Sequence, residues 1–112
     1  MSRLKLKYKI WLENNGKAFG DGPLDILKRV ERSGSLKQAA SEMNMSYSHA
    51  WNLIKGLEKR LGFKLIRSRV GGVKGGCSEL TDEARLLVAK YESFRNRVDE
   101  VLADLYQTIF SE

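Results

Sequence analysis

A single cysteine and a single histidine occur in 112 residues, and each scarcity excludes a chemistry. Cys77 alone cannot close an internal disulfide, and with His49 as the only imidazole no credible zinc set can be assembled. Long apolar runs are missing too. No stretch approaches the roughly 20 residues that a membrane-spanning helix needs, and the N-terminal SRLKLKYK lacks the apolar core of a signal peptide. No carboxylate pair, Cys-His pair or metal cluster has the spacing that catalysis would require, so an enzyme is not expected. What remains is a cytoplasmic chain with no cofactor, no metal, no membrane attachment and no evident small-molecule ligand.

What is present is basic charge, unevenly placed. The formal net charge is +6. Residues 1–80 carry 16 Lys and Arg against 7 Asp and Glu, a balance of +9, whereas residues 81–112 carry 4 against 7, a balance of −3. A basic body neutralises phosphates and displaces their counterions, and a mildly acidic tail does not. The length suits one folded unit with a modest core, divided here into a body, 1–80, and a C-terminal helix, 81–112.

Residues 33–62 carry the most specific pattern. Ser35 is placed to cap a helix, with Gln38 three residues on reaching back to complete a capping box. Leu36, Ala39, Ala40 and Met43 follow at helical spacing. Asn44 tolerates the left-handed conformation of a helix end, and Ser46 offers a second N-cap for a helix from Tyr47. In that second helix Ala50, Trp51, Ile54, Leu57 and Leu61 repeat at steps of three and four and should face inward, with Gly62 as the stop. Ser48, Asn52, Lys55 and Lys59 fall on the opposite side. Short polar groups near the helix start to reach base edges, with cations farther along to meet phosphates, are what a recognition helix needs. The bland alternative is an amphipathic helix with a solvated face.

Around this helix-turn-helix lie β signals. From Leu4 to Leu12 the pattern alternates, with Leu4, Leu6, Tyr8, Ile10 and Leu12 on one face, predicting a strand with one buried side. Lys5, Lys7 and Lys9 on its other face discourage edge-to-edge aggregation, or alternatively touch DNA. Asn15-Gly16 suits a tight turn into a short second strand over Lys17–Phe19. Asp21 or Gly22 can cap the next helix, Pro23 suits its first turn, and Ser33-Gly34 stops it. Leu65–Val70, the Gly-rich GGVKGG and Ser78–Leu80 read as strand, loop and returning strand, a wing. The loop lacks the Lys-Ser/Thr ending of a P-loop; Arg67, Arg69 and Lys74 on it instead suit DNA phosphates or the minor groove. Thr81 then caps a long helix opened by Asp82 and Glu83. Its apolar stripe, Leu87, Val88, Tyr91, Phe94, Val98, Val101, Leu102, Leu105 and Ile109, is longer than so small a domain can cover, which predicts a dimer through this helix; folding back over its own domain is the alternative.

The words NGKAFGDGP, SGSLKQAA, MSYSHAW and VGGVKGG followed by LT, in the order hairpin, three helices, wing and long helix, resemble the N-terminal domain of molybdate-responsive ModE-type regulators and, more broadly, the LysR-type DNA-binding domain. The resemblance covers about residues 4–94 and implies a mainly α fold with small β, a winged helix-turn-helix that dimerises through its long helix on a palindromic operator. Two wing positions depart from the family: Ser68 stands between Arg67 and Arg69 where an Arg is usual, and Val73 takes the usual place of Lys74. The sequence ends at Glu112, before the region in which relatives bind molybdate, so a stand-alone regulator lacking that region is expected, with an excised fragment as the alternative.

The function expected is thus a homodimeric, sequence-specific regulator of transcription that binds double-stranded DNA, with genes of molybdenum metabolism as the targets that the resemblance implies. Ser46, Tyr47, Ser48, His49 and Asn52 would approach bases and nearby phosphates, with Lys55, Arg67, Arg69 and Lys74 on the backbone. Tyr47 has a competing role at the edge of the core, and His49 reads as a neutral hydrogen-bonding contact. The other class of function is a winged-helix module that binds another protein.

Overall fold

The computed structural model describes residues 3–68 and 77–111. Two short strands, β1 (Trp11–Glu13) and β2 (Lys17–Gly20), precede three helices, α1 (Asp21–Ser33), α2 (Leu36–Glu42) and α3 (Tyr47–Leu61). A second pair of strands, β3 (Ile66–Ser68) and β4 (Ser78–Leu80), leads to the 29-residue α4 (Asp82–Phe110). Each strand pair is an antiparallel two-stranded sheet. With the helix-turn-helix between them, this is a winged helix-turn-helix.

Local chemistry sets most boundaries. The Ser46 hydroxyl accepts from the backbone N–H of His49, and the Thr81 hydroxyl accepts from that of Ala84, each satisfying an orphan donor of a first turn. Ser35 likewise accepts from the Gln38 N–H. Only half of the expected capping box forms, because the Gln38 amide points on to Glu42 rather than back to the cap. Asn44 adopts φ of 56° between α2 and α3, and Gly62 ends α3 at φ of 86°. Helix α1 starts one residue before the expected caps: Gly20 holds the N-cap with no side-chain bond, and Asp21 is free to bind elsewhere.

Leu4–Leu12 is not a strand with a buried face. Only Trp11–Glu13 pairs, and Leu4, Leu6 and Leu12 are exposed. The cause lies in the partner: Asn15-Gly16 takes positive φ as expected, but β2 ends at Gly20, just before α1 begins, so residues before Trp11 have no strand to pair with among the described residues. They run instead beside α4, where the Tyr8 hydroxyl donates to Asp99, the Arg95 guanidinium lies 5.0 Å from the Tyr8 ring centre, and the Tyr106 hydroxyl donates to the Leu4 carbonyl at 2.5 Å.

The core collects Phe19 from β2, Ile26, Leu27 and Val30 from α1, Leu36, Ala39 and Ala40 from α2, Ala50, Ile54 and Leu57 from α3, and Leu65 and Leu80 from the wing stem. Helix α4 closes it with Ala84, Val88 and Tyr91. The Tyr91 ring meets Phe19 edge-on at 5.2 Å, and its hydroxyl donates to Asp21 at 2.8 Å. Arg95, one turn on, binds the same carboxylate at 3.1 Å. Burial alone would raise the Asp21 carboxyl, but the hydrogen bonds from Arg95 and Tyr91 and the charges of Arg95 and Lys17 hold it below its ordinary range. Burial first, then the bond to Asp21, pushes the Tyr91 phenol up to about 12. Beyond this knot α4 leaves the body. The radius of gyration is 17.0 Å, against roughly 13 Å for a compact chain of this length.

Candidate nucleic-acid interface

Helix α3 is held through its C-terminal part, so that its N-terminal half projects. At its C-terminal end the first hairpin grips it: the Asn14 amide donates to the Arg60 carbonyl at 2.7 Å, and the Arg60 guanidinium donates to the Lys17 carbonyl at 3.2 Å. In the same C-terminal part, the mostly buried Glu58 carboxylate accepts from the Leu65 and Ile66 N–H groups at 2.7 and 3.3 Å and pairs with Lys55 at 3.1 Å. One side chain thereby fixes the wing strand β3 to α3. Thr81 completes the tie, donating to the Lys64 carbonyl at 2.6 Å while its own N–H reaches Leu65. Two ladders of short contacts leave little freedom between recognition helix and wing stem.

The projecting half carries the predicted polar face. Ser46, Tyr47, Ser48, His49 and Asn52 are all exposed at the start of α3, and Lys59 is exposed farther along. Ser46 still has its O–H to give, since capping uses only its acceptor. Lys55 is half-buried, held between Glu58 and the Trp51 ring, whose centre lies 4.4 Å from its ammonium. Arg67 projects from β3, tethered to Glu79 across the strand pair at 3.0 Å. Arg69 and Lys74 lie outside the described residues.

Trp51 does not face inward as its spacing suggested. It is 45% exposed, beside Tyr47 with ring centres 6.5 Å apart and planes 35° apart. At about 100° per residue it lies roughly 90° round the helix from the stripe of Ala50, Ile54, Leu57 and Leu61, on its edge. Tyr47, for which core and surface were both open, is likewise exposed. Between these rings and the wing stem is a hollow of about 370 Å³, rimmed by Lys55, Lys64 and Arg67 and floored by Ile54 and Ile66. Lys64 was not foreseen as part of the interface; nothing local marks it, because only the folded wing brings it beside α3. Trp51 carried a usable signal, one helical turn after Tyr47 and one before Lys55.

The stripe of α4 divides. Val88 and Tyr91 are buried in this chain's own core, and Leu87 packs partly against it, so Val88 and Tyr91 are not available for the dimer face expected of them. Phe94, Val101, Leu105 and Ile109 are exposed, while Val98 and Leu102 are half-buried.

Residues 23–85 match the family described as bacterial regulatory helix-turn-helix protein, lysR family. The chain is 31% identical over 94 residues to the molybdenum transport protein ModE of Azotobacter vinelandii, an alignment covering 84% of this chain and 35% of that protein. It is 28% identical over 98 residues to the molybdenum-pterin-binding protein MopB of Rhodobacter capsulatus, covering 88% and 36%. To the DNA-binding transcriptional dual regulator ModE of Escherichia coli K12 it is 29% identical over 84 residues, covering 72% and 32%. The chain thus spans about a third of the length of these curated relatives.

Proposed function

This chain belongs to the lysR family of bacterial regulatory helix-turn-helix proteins, and we propose that it regulates transcription as a homodimer, joined along the outer half of α4, with two copies of α3 in major grooves of one palindromic operator. The observation that carries this reading is the exposed start of α3, where Ser48 and Asn52 stand one turn apart on a helix braced by Glu58, Arg60 and Asn14. An Asn side chain offers the paired donor and acceptor that match the major-groove edge of adenine, and a serine hydroxyl suits several bases. Lys59, Lys64 and Arg67, with Arg69 and Lys74, supply the phosphate contacts that fix register without reading sequence.

Dimerisation is supported by the apolar surface of α4, since Phe94, Val101, Leu105 and Ile109 recur at steps of seven and four and are exposed among the described residues. The names of the relatives support genes of molybdenum uptake or of molybdoenzymes as the regulated class.

Selection of bound duplexes from a random pool at two salt concentrations tests the reading. A palindrome with half-sites about one helical turn or a multiple apart is expected, with affinity falling steeply as salt rises. Asn52→Ala should reduce discrimination between that duplex and random DNA by about 1 to 3 kcal/mol. Recovery of no preferred sequence, with binding indifferent to salt, would overturn it and favour a winged-helix module that binds another protein.

A further inference from the structure

We propose that Trp51, flanked by Tyr47, takes the C5-methyl group of a thymine in the major groove and so sets specificity for thymine at one position of each half-site. The inference rests on the DNA-reading function above and deepens it by assigning an apolar half to the reading surface.

Three observations carry it. The first is exposure without a structural need: Ala50, Ile54 and Leu57 seal the core beneath α3, and Trp51 remains nearly half exposed. A large indole left half in water beside a polar helix face, with a second exposed ring next to it, signals a partner rather than a core role. The second is arrangement. Tyr47 and Trp51 form one column along the helix and Ser48 and Asn52 the next, and these four side chains line a shallow hollow of about 410 Å³. An apolar wall thus stands beside hydrogen-bonding groups on one surface. The third is charge. Lys55 sits over the indole at 4.4 Å, and Lys64 and Arg67 rim the adjoining hollow. Glu58 and Glu79 pair with Lys55 and Arg67, and Lys64 leaves the rim beside the aromatic pair with a positive balance, which favours a polyanion as occupant over an apolar protein surface. Of the groups that the four base pairs present in the major groove, the thymine methyl is the apolar one. Lys55 also steadies the indole, so the wall is formed before DNA arrives.

The test pairs a deletion in DNA with a deletion in protein, using the whole chain and the duplex recovered by selection. Each thymine is replaced in turn by deoxyuridine, which removes only the methyl. In the unaltered protein one thymine per half-site should stand out, with affinity falling about fourfold for each methyl removed there. In Trp51→Ala the thymine and uracil duplexes should bind alike at that position, while sensitivity to the base contacted by Asn52 persists. Trp51→Gln, which keeps a good helix former, should behave the same and decides the matter if the alanine variant loses helical circular dichroism. No thymine showing the effect, or a fourfold loss that survives both substitutions, would overturn the role of Trp51 while leaving operator recognition standing. Absence of any preference for the selected duplex over random DNA overturns both readings.

Discussion

The two ends of α4 carry the same apolar rhythm and meet different fates. From Asp82 to Tyr91 the stripe is spent on the protomer: Ala84, Val88 and Tyr91 are buried, and Tyr91 is only 2% exposed. From Phe94 to Phe110 the rhythm continues, yet Phe94 is 48%, Leu105 50% and Ile109 64% exposed. The division falls at Asp21, whose carboxylate receives Tyr91 and Arg95 at the last point where α4 still touches α1. Periodicity reports that a helix face must be covered. What covers it is decided by how far the rest of the chain extends, and here the body ends after one third of the helix.

The comparison breaks most sharply at Tyr91. Tyr91→Ala removes a buried ring packed edge-on to Phe19 and leaves a cavity, for which a loss of about 3 to 5 kcal/mol is expected. Urea unfolding should show it as a lower midpoint with little change in slope. An aspartate in the outer half should act oppositely. Val101→Asp with Leu105→Asp places charges at positions exposed among the described residues, so the fold should persist while, if the proposed dimer forms along this face, light scattering shows monomers. Operator affinity should then drop by on the order of 100-fold, as each half-site loses the benefit of its tethered neighbour. If the double variant stays dimeric, the interface lies elsewhere.

What could be seen in the sequence follows the range of the interactions. The caps at Ser46 and Thr81, the positive φ of Asn44 and the stops at Gly34 and Gly62 depend on neighbours within about four residues, and they were legible. So was the polar start of α3. The strand over Leu4–Leu12 was not, because alternation needs a partner of equal length and β2 has four residues. Trp51 was misplaced because a residue at the edge of a stripe is assigned by its neighbours in space, which here include the wing stem. The roles of Glu58 and Lys64 depend on contacts made only once β3 lies beside α3.

Alkaline titration sharpens the comparison with a smaller effect. The Tyr91 phenol is pushed up to about 12, from an ordinary 10.0, by burial and by the carboxylate of Asp21. The folded state therefore holds this proton more tightly than the unfolded chain. Its contribution is complete below pH 10.0 and is lost as pH rises toward about 12. A decline on the order of 2 kcal/mol over that window is expected. Tyr91→Phe should flatten it, at the cost of about 1 kcal/mol near neutrality for the hydrogen bond to Asp21. An unaltered alkaline limb in that variant would show that other groups govern it.

The smallest effect lies on the acid side, at the same junction. The Asp21 carboxyl is held below its ordinary 3.8, so its contribution is present above that value and is lost as pH falls through the lowered one. Because about half of its side chain meets water, solvent screens the pair with Arg95, and under about 1 kcal/mol is expected. Asp21→Asn keeps an acceptor for Tyr91 while removing the charge, so it should lower stability at pH 7 slightly and remove part of the acid dependence. The oligomeric state should not move, because Asp21 ties α4 to its own body and not to a second copy. A variant that dissociates on dilution while its melting temperature holds would show instead that this junction aims the outer helix at its partner, and the division of α4 would then be one of degree.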